Sequence, residues 1–327
     1  MPATWAGRRR GLVTRRRLLG AARIVATGAI LAALVLKLSP GEIASAVRDA
    51  RPWPLAAAAI TMALVQALVV VKWWWLARGR GISAGATLLA RRYVQANLLT
   101  TALPTAIGGD VYRVYRVSRD AEAPAADVTM TVLFERATGY AAMASLGLLG
   151  AAVHFGGAGG GAAVLAVGAV LGPAALLAAD RLWLPSLPAG HRLRTLVRDR
   201  AELRRLVWMT LFSLVIQALY ISSIALMGAA FRVDASWWYW AATVAVVAAA
   251  TLLPLSLGGL GVRESGFAAL LSREGGSAAA GASVGFALAL IIALVSLVAV
   301  VVFEIGARLE AAPRRSLSAS ARSEAEA

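Results

Sequence analysis

Long apolar runs recur along this chain, separated by short polar connectors. A helix crosses the hydrocarbon core of a bilayer with about 20 mainly apolar residues. Runs near or above that length lie at 22–38, 54–76, 128–153, 161–179, 206–230 and 280–306. Two further apolar stretches, 93–112 and 237–261, are broken by proline and paired glycine. The pattern predicts an all-α integral membrane protein with about six full spans plus two Pro/Gly-broken re-entrant elements. It divides the chain into a basic cytoplasmic tail (1–20), a single transmembrane domain (21–308) and a polar cytoplasmic tail (309–327).

Composition sharpens this picture. Hydrophobic residues make up 59% of the 327 and charged residues only 15%, against roughly 25% charged in soluble domains. The formal charge of +16 would point to nucleic acid in a soluble protein. Here the basic residues sit in connectors, where topology and anionic lipid account for them, and no nucleic-acid partner is expected. Residues 1–19 carry six Arg, 78–92 four and 180–205 seven, whereas 39–53 balances Arg48 and Arg51 with Glu42 and Asp49. The positive-inside rule puts both termini in the cytoplasm and the chain in the cytoplasmic (inner) membrane. It leaves 78–92 and 180–205 on one side only if 93–112 enters and returns. The stretch GRRRGLVTRRRLLG, ahead of an apolar run, has the shape of a signal peptide. The many spans that follow favour an uncleaved first span instead.

LPTAIGGDVYR (103–113) and LPLSLGGLGVR (253–263) write one phrase twice: Leu-Pro, two residues, Ile or Leu, Gly-Gly, three residues, Arg. Three predicted crossings separate the copies, an odd number, so equivalent positions point in opposite directions across the bilayer. That predicts an inverted-topology repeat with broken helices meeting near the midplane. Pro104 and Pro254 end helices, and broken backbone must be sheltered from lipid. Gly108, Gly109, Gly258, Gly259 and Gly261 allow unusual backbone angles and leave amides bare. Asp110 suits the N-cap of a following helix, and such an N-terminus favours an anion. Arg113 follows, with Arg263 in the equivalent place and Glu264 beside it; arginine matches a phosphate fork. Arg116 and Arg119 read as interfacial charges.

Glu135 and Arg136 lie inside the third predicted span, where a charge costs about 2.5–3.5 kcal/mol and so faces a cavity or the protein interior. They are candidates for a substrate path or a gate. Asn97 either donates to a head group or satisfies backbone freed by the first break. Lys72, beside Trp73, Trp74 and Trp75, reads as a snorkelling anchor in an aromatic belt. Glu304 and Arg308 read as a pair on one helix surface. GASVG (281–285) matches a nucleophile pattern but reads as small-residue helix packing. The chain has no cysteine and two histidines, His154 and His191, so no metal, cofactor or catalytic residue is expected.

Asn97, then Leu-Pro, Gly-Gly-Asp and Arg113, then Phe-Glu-Arg and Gly139, then Leu-Pro and Gly-Gly-Leu-Gly-Val-Arg-Glu264, in that order, resemble the flippase-like family. This is the transmembrane region of lysylphosphatidylglycerol synthases and its stand-alone relatives, and the likeness runs from about residue 20 to 308. It implies a bacterial or archaeal membrane protein that moves a lipid or lipid-linked head group between leaflets. By position it implies one half-site of Pro104, Gly108, Gly109, Asp110 and Arg113. The other would be Pro254, Gly258, Gly259, Gly261 and Glu264, with Glu135 and Arg136 between. Aminoacyl-transferring members carry a large soluble C-terminal domain, whereas the last span here is followed by a short polar stretch. The expectation is transport of a lipid made by a separate synthase or glycosyltransferase. Two other readings stand beside it. One is a glycosyl- or phospho-transferase on polyprenyl-phosphate lipid using Glu42 or Asp49; the other is an accessory subunit of a lipid synthase.

Overall fold

The computed structural model describes residues 45, 48–102, 108–156, 200–252 and 259–325. Among these the regular structure is helical: α1 (Pro52–Gly79), α2 (Ala86–Ala102), α3 (Gly108–Asp120), α4 (Ala125–Phe155), α5 (Arg200–Ala230), α6 (Trp237–Leu252), α7 (Val262–Leu271), a 3-10 turn (Ser272–Glu274) and α8 (Ala278–Ala325). Helix α1 opens at Pro52, which fits the first turn, where no amide partner is needed. It ends in a Schellman motif: Gly81 takes φ +72, its amide donates to Arg78 O, and the Ile82 amide donates to Ala77 O.

Four segments are long and apolar enough to cross a bilayer: Pro52–Gly79, Ala125–Phe155, Val207–Ala230 and Ala278–Gly306. They coincide with the expected spans at 54–76, 128–153, 206–230 and 280–306. The expected spans at 22–38 and 161–179 lie outside the described residues. The outward faces of the helices carry Ile60, Leu64, Leu211, Val215, Leu294 and Val298, a surface suited to hydrocarbon rather than water. The chain is a multi-pass membrane protein. Beyond its apolar part α8 stays helical to Ala325, through the segment expected as a polar tail.

The broken stretches each form a helical hairpin. In the first, α2 and α3 run antiparallel. Gly109 packs on Ala96 and Thr100, Tyr112 Oη donates to Gln95 Oε1 at 2.8 Å, and Arg92 Nε meets Asp120 Oδ2 at 2.6 Å. In the second, α6 and α7 do the same, with Gly259 against Thr251, Gly266 against Val247, and Tyr239 Oη donating to Leu270 O. At about 1.5 Å per residue, the 10 residues of α7 and the 13 of α3 are too short to cross a core of about 30 Å. Pro104, Pro254 and Gly258 lie outside the described residues.

The order of long helix, hairpin and long helix therefore occurs twice, as α1–α4 and α5–α8. Packing follows the same exchange: α1 contacts α5, α4 contacts α6 while α8 contacts α2, and α4 contacts α5 while α8 contacts α1. The counterparts α1 and α5 run antiparallel. Arg51 N donates to Ala230 O and Ser223 Oγ to Ala58 O near one end, and Arg205 Nη1 to Gly79 O at the other. Small residues allow close contact where lipid supplies no hydrophobic drive between helices. A Cβ on Gly281 would sit 2.6 Å from Phe267 O, and one on Gly285 would sit 2.9 Å from Glu264 Cα, so GASVG is packing surface between α8 and α7.

Candidate functional site

Charge concentrates where the first hairpin meets α1 and α4. The bare Gly109 lets α3 close on α2, since a Cβ there would lie 2.6 Å from Ala96 O. That closure turns Arg113 inward until only 2% of it is exposed. Its Nη1 donates to Glu135 Oε2 at 2.9 Å and Asp110 Oδ1 at 3.3 Å. The guanidinium lies over the Trp73 ring at 3.9 Å and the Tyr93 ring at 5.1 Å, contacts that stabilise a desolvated cation. Trp73 is held in turn by its Nε1 donating to Thr131 Oγ1. Arg113 Nε and Nη2 have no hydrogen-bond partner among the described residues.

Asp110 sits inside the first turn of α3, which already begins at Gly108, so the expected N-cap position is not the one it holds. Its carboxylate instead takes a fork from Arg136, Nε to Oδ2 at 3.1 Å and Nη2 to Oδ1 at 3.0 Å. Arg136 is half-buried and the most accessible member of the group, with 42% of its side chain open. Lys72 corrects the anchor reading: it is buried rather than snorkelled, with 2% exposed and Nζ donating to the Glu135 carbonyl at 2.9 Å. Three bases thus gather round two acids. Asn97 donates to Gln66 Oε1 at 3.3 Å, which also accepts from Ser296 of α8 at 3.2 Å.

The second hairpin is built differently. Gly259 and Gly261 take φ +79 and +81, and helix α7 starts only at Val262. Glu264 is fully buried; its Oε2 accepts the Gly261 amide at 2.6 Å. Its Oε1 takes a fork from Arg263 at 3.1 and 2.8 Å, so the pair is self-contained.

At the two ends of the bundle, each hairpin is tied to a long helix of the other half. Glu304 of α8 accepts from Arg91 and Gln95 of α2; the side chain of Arg308, its expected partner, lies outside the described residues. His154 of α4 meets Ser236 and Glu274, at the two ends of the second hairpin. Glu304 and His154 are separated by the same 150 positions as the repeated phrase.

Lys72 and Gln217, whose Nε2 donates to the Gly139 carbonyl at 3.2 Å, belong to this polar interior, and neither is a binding candidate in the sequence. The available signal was a lone polar residue inside an apolar run. Glu42 lies outside the described residues. Asp49 is exposed before the start of α1, about 30 Å along that helix from Lys72 at 1.5 Å per residue.

No curated protein matches the chain. The family model described as the lysylphosphatidylglycerol synthase TM region matches residues 20–306. The chain belongs to that family.

Proposed function

We propose that the protein is a lipid translocase of the cytoplasmic membrane that moves an anionic or lipid-linked amphiphile between leaflets without covalent chemistry. The observation that carries this reading is Arg136: a half-buried cation with part of its side chain open, held by the fork it donates to Asp110 inside a charged cluster. Intramembrane charges are expensive and mark substrate paths, and an open guanidinium can still fork a phosphate. Arg113 serves as a positioning residue, because its burial leaves it no contact with a ligand in this conformation.

In this reading α1–α4 and α5–α8 form an inverted repeat whose hairpins are re-entrant from opposite faces. The antiparallel run of α1 against α5 and the antiparallel arms of both hairpins support it. Charge supports the orientation: Arg78, Arg80, Arg91, Arg92, Arg119 and Arg205 gather at one end, which the positive-inside rule makes cytoplasmic. The head group would then move between the hairpins while its tails stay in lipid, as one repeat rocks against the other. The contacts of Glu304 and His154 act as gates at opposite ends.

The test is transport in proteoliposomes, using phosphatidylglycerol with a fluorescent tail and a quencher confined to the outside. Wild type exposes inner-leaflet lipid faster than empty vesicles, and Arg136→Gln reduces the rate by an order of magnitude or more, on the scale of a lost charge-assisted fork of about 1.5–3 kcal/mol. Equal rates for Arg136→Gln and wild type would remove Arg136 from the path.

A further inference from the structure

The polar interior contains a niche that the head-group reading does not use. Gly139 of α4 faces α1 and α5 with no side chain. Among the described residues, a Cβ built there would have two neighbours within 4 Å outside its own helix: Gln217 Nε2 at 3.5 Å and Lys72 Nζ at 3.9 Å. Both are donors. Among the described residues Lys72 has one hydrogen-bond partner, the Glu135 carbonyl, although an ammonium carries three protons. Gln217 Nε2 has one, to the Gly139 carbonyl at 3.2 Å, and carries two. The niche is therefore walled by donors with protons to spare, beside a bare stretch of helix.

Charge points the same way. Asp110 is engaged by Arg136 and Arg113, and Glu135 by Arg113. Lys72 has no carboxylate within 4 Å among the described residues, and its charge is the one left over. An uncompensated ammonium with 2% exposure inside a membrane span is costly unless an anion joins it.

We propose that Lys72 Nζ and Gln217 Nε2, across the bare face of Gly139, bind one oxygen of a phosphodiester monoanion. The inference rests on the translocase reading and deepens it, naming the substrate class as lipids with a singly charged phosphodiester head. Arg136 would meet the head at the open side, and the niche would hold it further inside. A second net negative charge would exceed what the cluster balances, so a phosphomonoester dianion is disfavoured.

The test measures thermal stability of the purified full chain in detergent, titrated with dioleoyl phosphatidylglycerol. Dioleoylglycerol serves as the uncharged control and dimethyl phosphate as the soluble phosphodiester. Wild type is stabilised by phosphatidylglycerol and by neither of the others at the same concentration. Lys72→Met and Gly139→Ala each raise the half-stabilising concentration roughly tenfold or more, the scale of one charge-assisted hydrogen bond. The Gly139→Ala methyl lands at ordinary contact distances, so that variant keeps the fold if Lys72→Met does not. Arg119→Gln, at the exposed end of α3, leaves the titration unchanged. Unaltered binding in Gly139→Ala and a folded Lys72→Met, with binding lost in Arg136→Gln, would overturn the niche and leave the translocase reading intact. Dimethyl phosphate acting as well as the lipid would overturn the lipid assignment. No response of wild type to phosphatidylglycerol beyond dioleoylglycerol would overturn both.

Discussion

Arg113 and Arg263 stand at the same place in the repeated phrase, yet their surroundings differ. Arg113 draws its partners from three helices, with Glu135 on α4, Trp73 on α1 and Tyr93 on α2. Arg263 takes its carboxylate from the next residue, Glu264. The register explains the contrast. Helix α3 begins at Gly108, whereas α7 begins at Val262, four positions later in the phrase. Gly261 stands where the first copy has Val111, and its φ of +81 delays the helix long enough for Glu264 to cap it. The first hairpin is left with surplus positive charge and an open arginine, the second with a closed pair. One sequence pattern thus supplies a half with an open, positively charged cluster and a half with a closed, self-paired arginine.

Glu264→Ala has the largest expected effect. It strands Arg263 and the Gly261 amide, and loss of one partner from a buried pair costs about 3–5 kcal/mol. Thermal unfolding of the purified protein would then drop sharply, and abundance in the membrane with it. A folded Glu264→Ala of wild-type stability would mean that the second half is not held by its carboxylate. Gly261→Ala comes next, at about 1–3 kcal/mol, because its backbone angle is strained for any residue with a side chain. The matching change in the first half, Val111→Gly, touches an exposed helix position and costs about 1 kcal/mol. Similar melting shifts for the two would erase the register difference. Glu304→Gln is the smallest: its pair with Arg91 is about one-third exposed, so stability falls by under about 1 kcal/mol. Its transport rate in vesicles should change in excess of that, if the contact gates the cytoplasmic end; a parallel, equally small change in both would make it an ordinary surface pair.

Much of this architecture is legible along the chain because lipid imposes a local rule. Four spans follow directly from runs of apolar residues. The repeated phrase marks both hairpins, and Gly109, Asp110, Glu135 and Arg136 do converge with Arg113. The partners are a different matter. Lys72 beside three tryptophans has the local signature of an interfacial anchor, and only the packing of α1 on α4 reveals that it is buried. Glu304 finds Arg91 across 213 positions, a pairing that helix periodicity cannot predict. Asp110, directly after the paired glycines and before VYRVYRVSR, has the sequence signature of an N-cap, whereas Gly108 and Gly109 here form the first turn of α3 against α2.

The most direct measurement exploits the absence of cysteine. Single cysteines replace Arg119 at the end of α3 and Ser272 just after α7, both exposed and each at the returning end of a hairpin. Intact cells are treated with a membrane-impermeant thiol reagent, then permeabilised and treated again. Opposed hairpins predict that Ser272→Cys reacts in intact cells and Arg119→Cys only after permeabilisation. Reaction of both at the same stage would put the two hairpins on one face of the membrane and contradict the inverted repeat.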